Sequence, residues 1–312
     1  MHNQVSDLLK TLNSNPHAKL LAILCIAPSI TCAQDAWQMN SSLIAMTGHY
    51  ANSLTMNNQK GLGVRMSGEH HHTWGFTAGL QSTRINMSPI TPVSTQNQDN
   101  WLLSGYTHKP SAMLPGRWTF QLDAHQVHHD APQSNTSDVR AIAPQITWLS
   151  YTQPLKVDFS YASSTYKNTP AIHQLSSAFA YGFYDAKDWL QVRSYAINKL
   201  TTSEALGESR TRATDFKLTH FFSGSSAWGP TTVTVGVERG QRIYTVDMAS
   251  QTVYNLPMLN HGGKNIAASW KLSSKSNLDV QFSKTNFYAA PTPLPAHNFT
   301  LSTLSARIAT AW

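Results

Sequence analysis

From Ser41 to Trp312 apolar side chains recur at every second position. Trp74, Phe76, Ala78 and Leu80 alternate with Thr73, Gly75, Thr77, Gly79 and Gln81. Trp118, Phe120, Leu122 and Ala124 alternate with Arg117, Thr119, Gln121, Asp123 and His125. Leu155, Val157, Phe159 and Tyr161 alternate with Lys156, Asp158, Ser160 and Ala162. A period of two puts each set on one face of a strand. Fourteen such segments are expected, at 41–52, 60–69, 73–86, 99–108, 116–127, 138–151, 154–165, 171–184, 188–200, 211–222, 229–242, 262–272, 276–287 and 298–312. The fourth and ninth are ambiguous in phase. Soluble strands average about 5–6 residues, and a tilted strand crossing a bilayer needs about 9–11. Long strands with one apolar and one polar face fit a transmembrane barrel with lipid outside and water inside.

The connections give an independent test. Short ones near 70–72, 109–115, 152–153, 185–187, 223–228 and 273–275 alternate with mostly longer ones at 53–59, 87–98, 128–137, 166–170, 201–210, 243–261 and 288–297. Short periplasmic turns and longer extracellular loops are the habit of outer-membrane barrels. An even strand number then places both termini in the periplasm. Trp74, Trp118, Trp148, Trp189, Trp228 and Trp270 each adjoin a short turn. Trp37 precedes the first strand and Trp312 ends the last, whereas Trp101 begins a strand at the other end. Indole rings favour headgroup depth, so a one-sided set reads as a girdle. The expected fold is an all-β, antiparallel, up-and-down transmembrane barrel of about 14 strands.

Composition sharpens this. Only 12% of residues are charged, and there are 9 Trp, 11 Tyr and 11 Phe. Helical bundles and disordered chains do not look like this. Lys19 precedes the compact apolar run Leu20–Ala27, too short to span a bilayer, and Thr31-Cys32-Ala33 reads as a cleavage site. The expected division is a signal peptide over 1–33 and a barrel over 34–312. Both cysteines, Cys25 and Cys32, fall in the first part. The mature barrel therefore offers no disulfide, thiolate or Cys-based metal site. The formal net charge of +7 comes without a Lys/Arg run, so nucleic acid is not an expected partner.

The last strand, Leu304-Ser305-Ala306-Arg307-Ile308-Ala309-Thr310-Ala311-Trp312, ends on an aromatic residue with apolar residues at alternate positions. It resembles the C-terminal signal of Gram-negative outer-membrane β-barrel proteins, which the barrel-assembly machinery recognises in that family. The pattern over 41–312 is most like that of monomeric 14-stranded porins and of 14-stranded fatty-acid transporters. The resemblance implies an outer-membrane location and monomeric state, with outer-membrane lipid and lipopolysaccharide around the barrel. It also implies small polar solutes within and no cofactor. Only Gln34 to Asn40 precede the first strand, too few for the N-terminal hatch of the fatty-acid transporters. The expected function is a diffusion pore for small hydrophilic solutes. The alternative is the outlet of a polysaccharide export system or a surface-binding, adhesin-like barrel. No Ser/His/Asp arrangement points to an enzyme.

Strand parity turns Ser67, Thr77, Gly79, Ser160, Ala178 and Thr234 inward, which cannot fill a lumen roughly 15 Å wide. It also turns seven basic and six acidic groups inward. Arg65, Asp123, Arg193, Asp215, Lys217 and Arg307 are the candidate mid-barrel belt setting solute selectivity. The longest connection, 243–261, pairs Ile243-Tyr244-Thr245-Val246-Asp247 with Gln251-Thr252-Val253-Tyr254-Asn255 around Met248-Ala249-Ser250. That pattern suggests a β-hairpin extending past the membrane. The functional reading of the same loop is a lid, hinged at His261-Gly262-Gly263 and carrying Tyr244, Asp247, Tyr254 and His261. In that reading His261, His297, His128 and His129 would bias the lid in acid. The consecutive His70, His71 and His72 point alternately and are not expected to bind metal.

Overall fold

In a computed structural model the described residues are 37–312 apart from 92, 112, 131–137, 168, 199–208, 224–228, 255–257 and 290–294, and the side chains of 169 and 170. The proposed signal peptide with Cys25 and Cys32, and Trp228, lie outside them. Fourteen antiparallel strands close into a barrel in chain order, each bonded to its sequence neighbours and the last to the first. They are β1 (Trp37–Ala51), β2 (Met56–His70), β3 (Trp74–Met87), β4 (Thr95–Ser111), β5 (Gly116–His129), β6 (Asp138–Ser150), β7 (Leu155–Tyr166), β8 (Thr169–Phe183), β9 (Asp188–Asn198), β10 (Arg210–Phe221), β11 (Thr232–Gly240), β14 (Leu259–Lys271), β15 (Ser276–Ala289) and β16 (His297–Ala311). Between β11 and β14 lies a small separate hairpin, β12 (Val246–Asp247) and β13 (Thr252–Val253).

Closure leaves no edge strand, because β1 and β16 pair from Asn40↔Ala311 to Ala51↔Thr300. Both described ends lie at the short-turn end: Trp37 pairs with His70, and the Trp312 amide donates to the Met39 carbonyl at 3.1 Å. The short turns are tight enough to force left-handed backbone at His71, His72, Tyr184, Asp185 and Ala186. Pro144, which lacks an N–H, sits in β6 where the pairing to β7 skips Ala143 and Pro144.

The two faces separate as a period of two requires. Leu43, Leu103, Leu122, Ile142, Phe159 and Leu175 point outward and stay exposed, an apolar surface too extensive for water. Asp123, Asp158, Ser160, Ser176, Arg193 and Asp215 point inward and are buried. The two ambiguous phases resolve. On β4, Trp101 and Leu103 face out and Leu102 and Ser104 face in. On β9, Leu190 and Val192 face out and Gln191, Arg193, Tyr195 and Ile197 face in.

Two details of the tryptophan set differ from expectation. β4 begins at Thr95, so Trp101 lies opposite Leu80 within the wall rather than at a strand end. Trp189 faces the lumen, and its indole N–H donates to the Ala186 carbonyl at 3.1 Å. Trp37 and Trp74 pack edge-to-face at 4.8 Å, and Trp118 and Trp148 lie 6.5 Å apart beside their short turns.

Candidate permeation path and its inward loop

The loop between β11 and β14 is the part of the chain that shapes the lumen. Its hairpin forms at the expected residues, with Val246 opposite Val253 and Asp247 opposite Thr252. It does not extend past the membrane, however. Every residue from Arg242 to Met248 is buried, which a hairpin standing in water cannot achieve. The segment folds into the barrel and packs on the inward side chains of β5 to β9. Ile243, Tyr244, Val246, Met248 and Val253 join Val127, Val139, Ala141, Ile172 and Ile197 in one apolar cluster. The reason is local chain geometry together with apolar burial. Gly240 (φ +105°) and Gly262 (φ +97°) break the two flanking strands in the left-handed region. A Cβ at either would lie 2.4 Å from a backbone oxygen, of Arg212 and of Glu238 respectively.

Polar contacts then fix the loop in place. The Gln174 side chain bonds the Val246 backbone twice: its amide donates to the carbonyl at 2.6 Å, and its oxygen accepts the Val246 N–H at 3.1 Å. It replaces the neighbouring strand that β12 lacks. Arg65, on the opposite wall, donates to the Ser250 carbonyl at 3.3 Å and to Gln251 Oε1 at 3.5 Å. Asp247 Oδ1 accepts the Ala249 N–H at 2.9 Å, holding the tip turn. At the stem Arg242 pairs with Glu238 at 2.5 Å, and its guanidinium lies over the rings of Tyr195 (5.2 Å) and Tyr254 (4.9 Å). Asp247 is pushed up by burial, yet Lys217, Arg242 and Arg193 around it hold its carboxyl below the ordinary value of 3.8.

The six belt residues all lie on the inner face and do different things. Arg193 makes a bidentate pair with Asp158, both contacts 2.9 Å and both side chains 3% exposed. The register explains the reach: Asp158 and Arg193 flank Ala178 on the intervening strand, whose methyl leaves the space open. Lys217 pairs with Asp215 on its own strand at 2.9 Å, and Arg307 pairs with Asp279 at 2.7 Å. Asp123 is fully buried and accepts from Gln121 at 2.9 Å. Arg65 anchors the loop. Parity identifies these groups, but the Asp158 partnership depends on the register of three strands, which alternation alone does not carry.

Of the loop candidates, Tyr244 and Asp247 are buried in the lumen, Tyr254 stacks on Arg242, and His261 lies on the outer face, edge-on to Tyr288 at 6.1 Å. His128 pairs with Asp138 at 2.7 Å and His297 bonds the Leu54 N–H at 3.3 Å. These histidines are spread around the rim with separate partners and are not gathered on the loop. His72 binds Glu69 at 2.7 Å. Among the described residues no cluster of three or more His, Cys, Asp or Glu side chains is arranged to hold a metal.

The lumen thus has two unlike halves. At the long-loop end it is packed, with a second apolar cluster of Tyr50, Met56, Ile85, Phe287, Ala289 and Phe299 on the wall across from the first. This corrects the expectation of a small, polar inward set throughout. Below the loop tip a cavity of about 410 Å³ is walled by Arg117, Thr119, Thr147, Lys156, Gln191 and Arg193 and roofed by Met248, Ala249 and Gln251. Among the described residues no Asp or Glu contributes to its lining.

No family model matches the chain, and no curated protein matches it in sequence. Solved structures do match in fold. The toluene transporter TodX of Pseudomonas putida superposes with a TM-score of 0.52 at 8% identity, covering 89% of each chain. A TodX deltaS2S3 mutant, described as a monoaromatic hydrocarbon channel, gives 0.53 at 8% identity, over 89% of this chain and 90% of that one. The fold is that of outer-membrane channels. A TodX deltaS2 mutant agrees, with a TM-score of 0.52 at 8% identity over 91% of each chain. The chain shares the closed-barrel fold of these proteins, and its apolar outer belt is the kind of surface that a membrane-embedded barrel presents to lipid.

Proposed function

We propose that this barrel is a diffusion pore for small hydrophilic solutes, narrowed from within by the β12–β13 loop. The observation that carries the reading is the inward loop above a polar cavity: the wall is closed, the passage is polar below, and one segment sets its width. The lining cations Arg117 and Lys156 are not balanced by acids on the cavity wall, while Arg193 is neutralised by Asp158. The pore therefore favours anions modestly, a finer selectivity than a uniformly mixed-charge lumen. Removal of residues 1–33 as a signal peptide, periplasmic termini, a monomeric state and assembly through the strand ending in Trp312 belong to the same reading. No enzymatic role is proposed.

A second reading is favoured by the apolar cluster around Phe287 and Phe299, namely passage of small aromatic solutes of the kind named for TodX. Planar-bilayer recording and liposome swelling separate the readings. Steady conductance steps with swelling in small sugars support the hydrophilic pore. Uptake of aromatic solutes without sugar permeation supports the second. A sealed bilayer overturns both and points to an export outlet or an adhesin-like barrel. The double variant Arg117→Gln/Lys156→Gln should move the reversal potential toward cations.

A further inference from the structure

The cavity below the loop tip carries more chemistry than the passage of neutral solutes needs. Arg117, Leu149 and Lys156 are consecutive members of one inward row across β5, β6 and β7. The two cations therefore stand two strand spacings apart, about 10 Å, on either side of an apolar side chain. Neither makes an ion pair or side-chain hydrogen bond among the described residues. In the next row toward the loop Asp158 neutralises Arg193, so the cavity wall keeps two uncompensated positive charges.

The hydrogen-bonding groups of the same wall are turned one way. Arg193 is buried, its fork is taken up by Asp158, and its Nε–H has no acceptor among the described residues. The Nε–H of Arg117 is buried and equally unmet. Thr147 Oγ1 accepts from the Gln145 amide at 3.5 Å, which leaves the Thr147 hydroxyl to donate. Gln251 gives its oxygen to Arg65, which leaves its amide N–H groups for the cavity. Donors in this majority suit a solute rich in acceptors. A sugar hydroxyl donates as well as accepts, whereas a carboxylate only accepts. No aromatic ring lines the cavity among the described residues, so it offers no surface on which a sugar or an arene could stack. Its volume of about 410 Å³ falls in the range of small-molecule sites, roughly 300–1,000 Å³.

We propose that this cavity is a saturable binding site for a small dicarboxylate. One carboxylate sits on Arg117 and the other on Lys156, the hydrocarbon middle lies over Leu149, and the Thr147 and Gln251 donors close on it from above. The proposal rests on the pore reading and narrows it to one solute class; binding in a conducting site stays weak enough for release. The test measures equilibrium binding to the full chain in uncharged detergent by isothermal titration calorimetry at low ionic strength, where charge contacts are least screened. The probes are succinate, acetate and glucose. Succinate should bind saturably, acetate at least about tenfold more weakly, and glucose not at all. Arg117→Gln and Lys156→Gln should each raise the half-saturating succinate concentration about tenfold, and Lys156→Arg should restore it. Lys264→Gln, which removes an exposed charge from the outer face, should leave it unchanged. In a planar bilayer succinate should reduce the potassium chloride current with the same half-saturation. Saturable binding in detergent by a chain that leaves the bilayer sealed would support the site and overturn the pore reading. Steady conductance without saturable succinate binding, equal binding of acetate, or undiminished binding by both Gln variants overturns the dicarboxylate site and leaves the pore reading standing.

Discussion

The two halves of the lumen are lined by the same strands and have opposite interiors. At the long-loop end Val127, Val139, Ile172 and Ile197 close on the loop as a soluble protein's core does. At the short-turn end Thr119, Thr147, Lys156 and Gln191 surround a cavity. The wall of a wide barrel cannot touch itself across the middle, so its inward residues are apolar only where something comes in to meet them. The loop supplies that partner in one half and stops above the other. The packed half is thus built as a folding core, and the open half is the part that the proposed function uses as a passage.

Substitutions that separate the halves can break this comparison. The largest effect is expected at the boundary. Asp158→Ala leaves Arg193 buried without its partner and should cost about 3–5 kcal/mol in unfolding experiments. Adding Arg193→Leu should recover most of that loss; no recovery would mean that the pair does not share its energy as the geometry requires. In the packed half Ile197→Ala should cost about 2–5 kcal/mol, because the loop above it cannot fully refill the space. The matched change in the open half, Thr147→Ala, should alter stability by less than about 0.5 kcal/mol. Equal costs in the two halves would remove the distinction between them.

Smaller effects test how the loop is held. Gly240→Ala would force a side chain into a left-handed position against the Arg212 carbonyl, and about 1–3 kcal/mol of strain should appear as increased current flicker. The smallest effect concerns pH. Asp247 is held below its ordinary value, so its charge stabilises the docked loop at all pH values above that point. That stabilisation is lost only as pH falls through the depressed value. Flicker should therefore be flat from pH 5 to 8 and rise below about pH 4, and Asp247→Asn should abolish the acid rise. A transition near pH 6.5 would restore a histidine mechanism, which the scattered positions of His128, His261 and His297 do not support.

The strands were legible because lipid and water impose a strict period of two on fourteen segments. Observed bounds such as Asp138–Ser150 and Ser276–Ala289 follow the alternation within a residue or two. The β12–β13 hairpin was legible too, from the paired runs around Met248-Ala249-Ser250. Its direction was not, because alternation within a loop carries no information about which side of the rim it takes. A signal did exist. The ninth segment was ambiguous in phase because Tyr195 and Ile197 face inward to meet Arg242 and the loop, while Val192 and Ala196 face lipid. The fourth was ambiguous because Leu102 faces inward between outward Trp101 and Leu103. Apolar residues on both faces at one end of a barrel strand mark the place where a loop docks. Gly240 carries no comparable signal, since its role depends on a backbone angle that composition does not reveal.

The β12–β13 loop's occupation of the lumen is what sets the width of the passage in the proposed function. Its most direct test is single-channel conductance of the chain with residues 244–254 replaced by a two-residue Gly-Ser link, compared with the intact chain in the same bilayer. The closed barrel of the variant is checked first by its heat-modifiable gel mobility. Conductance should rise several-fold and discrimination among small sugars should fall. Unchanged conductance in a folded barrel would show that the passage is narrowed elsewhere and would contradict the account.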